Sequence, residues 1–234
     1  MPTAEELIAA VRAGDASRVA AIVGDEPALA STRDADGVSV LMLSRYRSVR
    51  AVTDALLAAD PDLDVYEAAA LGYLDRLRER LEEDPSKVGS LSADGYTALH
   101  FAAFFAKPEA VRILLDSGAP VDIVARNEML VQPLHSAAAG HQPEICRMLL
   151  AAGADPDARQ AGGFTPLHEA AQNGDPEMIE LFLSAGADPG ATTDDGKTPM
   201  EIADEAGHAD VAQRLRDMAG SGKAVAPRHR ASRP

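Results

Sequence analysis

The chain has 234 residues, 46% of them hydrophobic, which is enough apolar side chain to bury a core and excludes a disordered chain. With 37 acidic against 22 basic residues the formal charge is −15, so neither nucleic acid nor an anionic membrane surface is an expected partner. Cys146 is the sole cysteine, which rules out an intrachain disulfide and a cysteine-based metal site and suits a reducing, cytoplasmic setting.

Taken in chain order, Thr3-Ala-Glu-Glu6 is a capping box that opens a first helix, and acid at this place argues against a secretory leader. No stretch reaches the roughly 18 apolar residues that a membrane span requires. Ala10, Gly14, Val19, Ile22 and Val23 recur as Ala68, Gly72, Leu77, Arg80 and Leu81, the outline of a helix pair written twice. Between the copies, Asp36-Gly37-Val-Ser-Val-Leu-Met42 reads as a turn leading into another helix. Asp60-Pro-Asp-Leu-Asp64 leaves no room for a projecting turn, and Asp64-Val-Tyr-Glu67 opens the next helix directly. A notch in the wall of the molecule and a kink or seam are therefore expected near residues 60–64.

From residue 94 the repeat is plain. Asp94-Gly-Tyr-Thr-Ala-Leu-His100, Val131-Gln-Pro-Leu-His135, Gly163-Phe-Thr-Pro-Leu-His168 and Asp195-Gly-Lys-Thr-Pro-Met-Glu201 end 35, 33 and 33 residues apart. The pairs Ala102-Ala103, Ala137-Ala138 and Ala170-Ala171 follow in register, and Gly118, Gly153 and Gly186 close the second helices. Thr165 before Pro166 is an N-cap with proline at the first helical position, where its missing N–H costs nothing. Met178, Ile179, Phe182 and Leu183 form the apolar stripe of a second helix. The added Arg126-Asn-Glu-Met-Leu130 predicts a longer loop at one turn.

These residues closely resemble the ankyrin repeat, a unit of about 33 residues with a β-turn, two helices and a Thr-Pro-Leu-His signature. The match is firm from Ala93 to about Met218 and degraded upstream, giving seven units of which two lack the signature. The expected fold is all-α: an ankyrin-repeat α-solenoid of about seven helix pairs with short projecting β-hairpins or turns. Residues 1–63 hold degenerate units, and 64–219 the repeats proper. The last repeat ends as a cap, where Gln213, Arg214 and Arg216 meet water. Residues 220–234 carry Lys223, Arg228, Arg230 and Arg233 without an acid and read as an unstructured basic tail.

Chemistry finds little foothold. His100, His135 and His168 stand one repeat apart and cannot converge on one ion; the resemblance implies that they bond backbone near the turns. Gly196-Lys197-Thr198 mimics the end of a phosphate-binding loop, but Ala191 stands where that loop needs glycine. Cys146 lies on an apolar stripe beside Met148 and Leu149, the setting of an inert thiol. No cofactor, metal or catalytic residue is expected.

In ankyrin proteins the projecting turns and first helices form a concave binding face, and the resemblance implies that positions left free there select a protein partner. On this chain those positions include Tyr46 and Arg47, Tyr96, Phe104 and Phe105, Phe164, Gln172 and Asn173, and Lys197. Aromatics and arginine are the usual energetic anchors of interfaces. One of Phe104 and Phe105 should turn inward, since adjacent helical residues cannot share a face. The expected function is a non-catalytic protein-interaction scaffold or adaptor, monomeric when unbound. The alternative is an acidic, antitoxin-like inhibitor that covers a basic enzyme cleft.

Overall fold

The computed structural model describes residues 1–220, so the basic tail lies outside the described residues from 221 onward. Seven antiparallel helix pairs follow one another: α1 (Ala4–Ala13) with α2 (Ala16–Asp25), α3 (Val40–Tyr46) with α4 (Arg50–Leu57), α5 (Val65–Leu71) with α6 (Leu74–Glu83), and α7 (Ala98–Phe104) with α8 (Pro108–Asp116). The stack continues with α9 (Pro133–Ala139) and α10 (Pro143–Ala151), α11 (Pro166–Asn173) and α12 (Pro176–Ala185), and α13 (Pro199–Glu205) and α14 (Ala209–Gly220). No helix among the described residues is long and apolar enough to cross a membrane.

The capping chemistry acts as the sequence specifies. Glu6 N–H donates to Thr3 Oγ1 at 3.2 Å while Thr3 N–H donates to Glu6 Oε2 at 3.0 Å, and Asp64 with Glu67 exchanges the same two bonds at 2.8 Å each. Stacking follows from residue size. Ala68, Ala69, Ala102, Ala103, Ala137, Ala138, Ala170 and Ala171 are buried along the first helices, so α5, α7, α9 and α11 approach with only methyl groups between them. Leu77, Val111, Leu114, Ile145, Leu149, Ile179 and Phe182 fill the space beneath the second helices in one continuous core from Leu7 to Leu215. The last helix buries Val211, Ala212 and Leu215 and leaves Gln213, Arg214 and Arg216 exposed, as a terminal layer requires.

The projections are turns. Among the described residues no ladder forms; Arg33 and Ser39 make an isolated antiparallel bridge. Tight turns are closed by paired backbone bonds: Asp34 with Val38 and Gly37, Ser92 with Tyr96 and Gly95, Gln160 with Phe164 and Gly163, and Thr193 with Lys197 and Gly196. The loop of residues 125–131 is longer, as its added residues predict. It docks on the turn before it, with Arg126 N–H donating to the Gly95 carbonyl at 2.8 Å and the Asn127 amide donating to the Asp94 carbonyl at 3.0 Å. That approach needs glycine: a Cβ on Gly95, where φ is +84°, would stand 2.4 Å from the Arg126 carbonyl oxygen.

The junction between the second and third pairs differs from the expected notch. Helix α5 follows α4 with no turn of its own, and α3 with α5, like α4 with α6, comes close at few points. The wall nevertheless closes over the missing turn. A Cβ placed on Gly37 would stand 3.0 Å from Ala93 Cβ, Arg33 pairs with Asp64 at 2.7 Å, and the Tyr46 hydroxyl donates to Asp94. What remains of the gap is a void of about 20 Å³, too small for more than a water molecule.

Candidate functional site

The signature histidines are structural. Thr97 N–H donates to His100 Nδ1 at 3.2 Å, so the proton sits on Nε2, which donates to the Val131 carbonyl of the next loop at 3.1 Å. His135 repeats this with Gln132 N–H and the Ala158 carbonyl, and His168 with Thr165 N–H and the Lys197 carbonyl. Each ring thereby fastens its own helix to the following turn and spends both nitrogens on backbone. Burial pushes His100 and His135 down to about 4 and lowers His168, so all three are neutral at pH 7. Cys146 is fully buried, and burial raises its thiol to about 12, which removes it as a nucleophile.

On the face built by first helices and turns lies a recess of about 230 Å³. One wall comes from α7. Phe104 and Phe105 stand at i+3 and i+4 from Phe101, so each neighbours it on the helix surface, one on either side. Phe101 is buried at the hub of Tyr46, Tyr66 and Tyr96, with ring centroids 6.5, 6.4 and 5.5 Å away. Such tilted and edge-on contacts stabilise each pair by about 0.5–1.5 kcal/mol beyond area burial. Phe104 stays 44% exposed at the rim and meets Phe105 edge-on at 5.1 Å.

The floor comes from α9, which carries Ser136 and Ala139 where α7 carries Phe101 and Phe104, with Gly140 following. A bulky stripe beside a small one leaves a hollow. Gly140 also permits the two helix ends to meet, because a Cβ there would stand 2.6 Å from the Phe104 carbonyl oxygen. Met129, 52% exposed, and Val131 close one side from the long loop, while Gln160 and Glu169 close the far side. Burial holds the Glu169 carboxyl above the usual carboxylate range, opposed by His141 and a hydrogen bond with Gln160.

The sequence-predicted residues divide. Tyr46, Tyr96, Phe104 and Phe105 all line this recess. Phe105 is the inward one of its pair and packs on the cluster of Met42, Ala70 and Phe101. Tyr46 is not spare surface: its ring lies on Phe101 and its hydroxyl is tied to Asp94, and burial together with that carboxylate raises its pKa well above that of a free tyrosine. Arg47, Phe164, Gln172, Asn173 and Lys197 stand outside the lining. Phe164 packs on His168 at 5.5 Å, and Lys197 pairs with Glu205 at 2.6 Å and with Asp195 at 3.8 Å.

Phe101, Ser136 and Glu169 were not singled out, although they share one repeat position, immediately after the signature histidine. That register, together with the i, i+3, i+4 spacing to Phe104 and Phe105, is the signal that identifies them.

A stack of helix pairs, three of them stapled by histidine to the next turn, with a hollowed face of first helices, defines a helical repeat protein. The family model described as ankyrin repeats, in three copies, matches residues 65–160 and 134–224, and the chain belongs to that family. The pairs α1–α2 and α3–α4 precede the matched region and form the same unit.

Protein phosphatase 1 regulatory subunit 27 of Homo sapiens is 39% identical over 119 residues, covering 51% of this chain and 76% of that protein. Palmitoyltransferase Hip14 of Drosophila melanogaster is 37% identical over 108 residues, 44% of this chain and 16% of its own length. DNA-binding protein RFXANK of Homo sapiens is 38% identical over 72 residues, 31% of this chain and 28% of its own length. The chain thus spans only a small part of Hip14 and RFXANK. Family and relatives support a protein-interaction role.

Proposed function

We propose that this chain is a non-catalytic interaction module that holds a protein partner along the face of first helices and turns, with an apolar side chain of the partner seated in the recess between α7 and α9. The observation that carries this is the gathering of Phe104 and Met129, each more than two-fifths exposed, around one hollow lined by further aromatics. Large apolar groups left in water beside a preformed concavity are the physical mark of an anchor pocket. A relative named as a regulatory subunit, most of whose length aligns with this chain, supports binding rather than chemistry as the role. The free protein is monomeric and cytoplasmic in this reading. Residues 1–63 form a degenerate N-terminal part, a division favoured by the sparse packing of α3 on α5 and of α4 on α6.

The test is affinity capture with the intact chain and with a Phe104→Ala, Met129→Ala variant. Both replaced side chains are half in solvent, so the variant should unfold within a few degrees of the parent while losing its partner. Retained capture would place the interface elsewhere. Association that weakens steeply with salt would favour instead an acidic surface covering a basic cleft, because an aromatic anchor resists screening.

A further inference from the structure

The partly buried cations of this protein are paired, apart from two that lie close to the recess. Among the described residues, every partly buried lysine or arginine has a carboxylate at ion-pair distance except Arg45 and Lys107. Arg45, on the last turn of α3, lays its guanidinium over the Phe105 ring at 4.3 Å from the centroid. Stacking satisfies the face of that group but not its edge. Arg45 Nε is buried with no hydrogen-bond partner, one of two such side-chain atoms among the described residues, with Gln132 Oε1. Lys107 follows α7 and lies over Gly72 at the end of α5, where a Cβ would stand 3.0 Å from Lys107 Cδ. Burial, and to a smaller extent Arg45, lowers the Lys107 ammonium, and burial lowers the Arg45 guanidinium with no acid to offset it. Two cations without a carboxylate partner thus stand beside the aromatic recess, one on Phe105 and one at the end of α5, on a chain of net charge −15 that has many carboxylates to spare.

On the reading that a partner's apolar side chain occupies the recess, we infer that Arg45 and Lys107 form an anion subsite that takes a carboxylate of the same partner segment, an aspartate or glutamate a few residues from its apolar anchor. The planar fork of Arg45 is already fixed in orientation by Phe105, so it meets a carboxylate with little further loss of side-chain freedom. The long-range field works against this choice, since a body of this charge attracts basic peptides. An acidic requirement therefore reports local recognition rather than general attraction.

A phage-displayed library of random twelve-residue peptides, selected on the intact protein, tests this directly. The selected peptides should share an aromatic or large aliphatic residue with an Asp or Glu within about four positions. Replacing that acid by its amide, or making the Arg45→Gln, Lys107→Gln variant, should each weaken binding about ten-fold or more, and the two together should weaken it little further. Peptides whose binding falls with Phe104→Ala but which carry no acid, or for which the two losses multiply, overturn the anion subsite and leave the recess standing. Peptides indifferent to Phe104→Ala, or failure to select any, overturn the recess reading and this inference with it. Circular dichroism of each variant confirms that the fold is intact.

Discussion

Acid should loosen this protein through its stapling histidines. His100 and His135 are buried, with Nδ1 accepting a backbone N–H and Nε2 donating to a carbonyl, so a second proton would set one donor against another and bring charge into the core. Burial holds both rings down to about 4, whereas an unfolded chain protonates them near 6.5. Because the folded form binds protons less readily, the stability these rings confer is full above about pH 6.5 and is lost as pH falls toward 4. At pH 5 the difference between the two titrations amounts to about 2 kcal/mol for each ring, about 4 for both, against a total stability of roughly 5–15 kcal/mol. His168 acts in the same direction. Glu67, Glu169 and Asp157 act in the other, since burial raises their carboxyls and favours the folded form as pH falls. Urea unfolding at pH 7.5 and 5.0 measures the sum. The parent should lose a few kcal/mol, and His135→Gln, weaker at pH 7.5, should lose about 2 kcal/mol less across the same interval. Equal losses in parent and variant, or an imidazole of His100 or His135 titrating near 6.5 by NMR, would refute this account of the histidines.

Gly140→Ala should cost about 1–3 kcal/mol in chemical denaturation, because its methyl meets the Phe104 carbonyl at 2.6 Å and the ends of α7 and α9 must separate. Tyr46→Phe removes the bond to Asp94 that spans the turnless third unit and should cost about 0.5–1.5 kcal/mol, more than an exposed tyrosine would; a neutral result would mean that this bond does not hold the wall closed. Cys146 should resist a thiol reagent in the native protein at pH 8 and react on unfolding, and prompt labelling would contradict its burial and raised pKa.

Much of the fold was legible because repetition multiplies weak signals. One Thr-Pro-Leu-His run means little, but the same offsets in successive copies fix helix starts, alanine seams and terminating glycines together. The two capping boxes located α1 and α5 even where the turn signature was missing. The absent turn between α4 and α5 was visible in spacing, yet its consequence was not. That Gly37 and Ala93 would meet and that Tyr46 would reach Asp94 depends on contacts across 48 residues or more, which a local pattern does not encode.

The site was half legible for the same reason. Tyr96, Phe104 and Phe105 occupy positions that stacking leaves free, so their type alone marked them. The hollow itself arises from the difference between neighbouring repeats, Phe101 against Ser136 and Phe104 against Ala139, and it needs the two helices side by side to appear. Arg45 was passed over because an arginine on a surface helix is unremarkable until the structure shows that no carboxylate faces it.

Methyl NMR on the full-length protein, labelled at its methionine methyl groups, probes the anchor pocket at a single atom. As a selected peptide is added, the Met129 methyl should shift and saturate with the binding curve, while that of Met178, on the buried face of α12, stays in place. Saturable binding that leaves Met129 unmoved would show that the partner is gripped elsewhere on the stack.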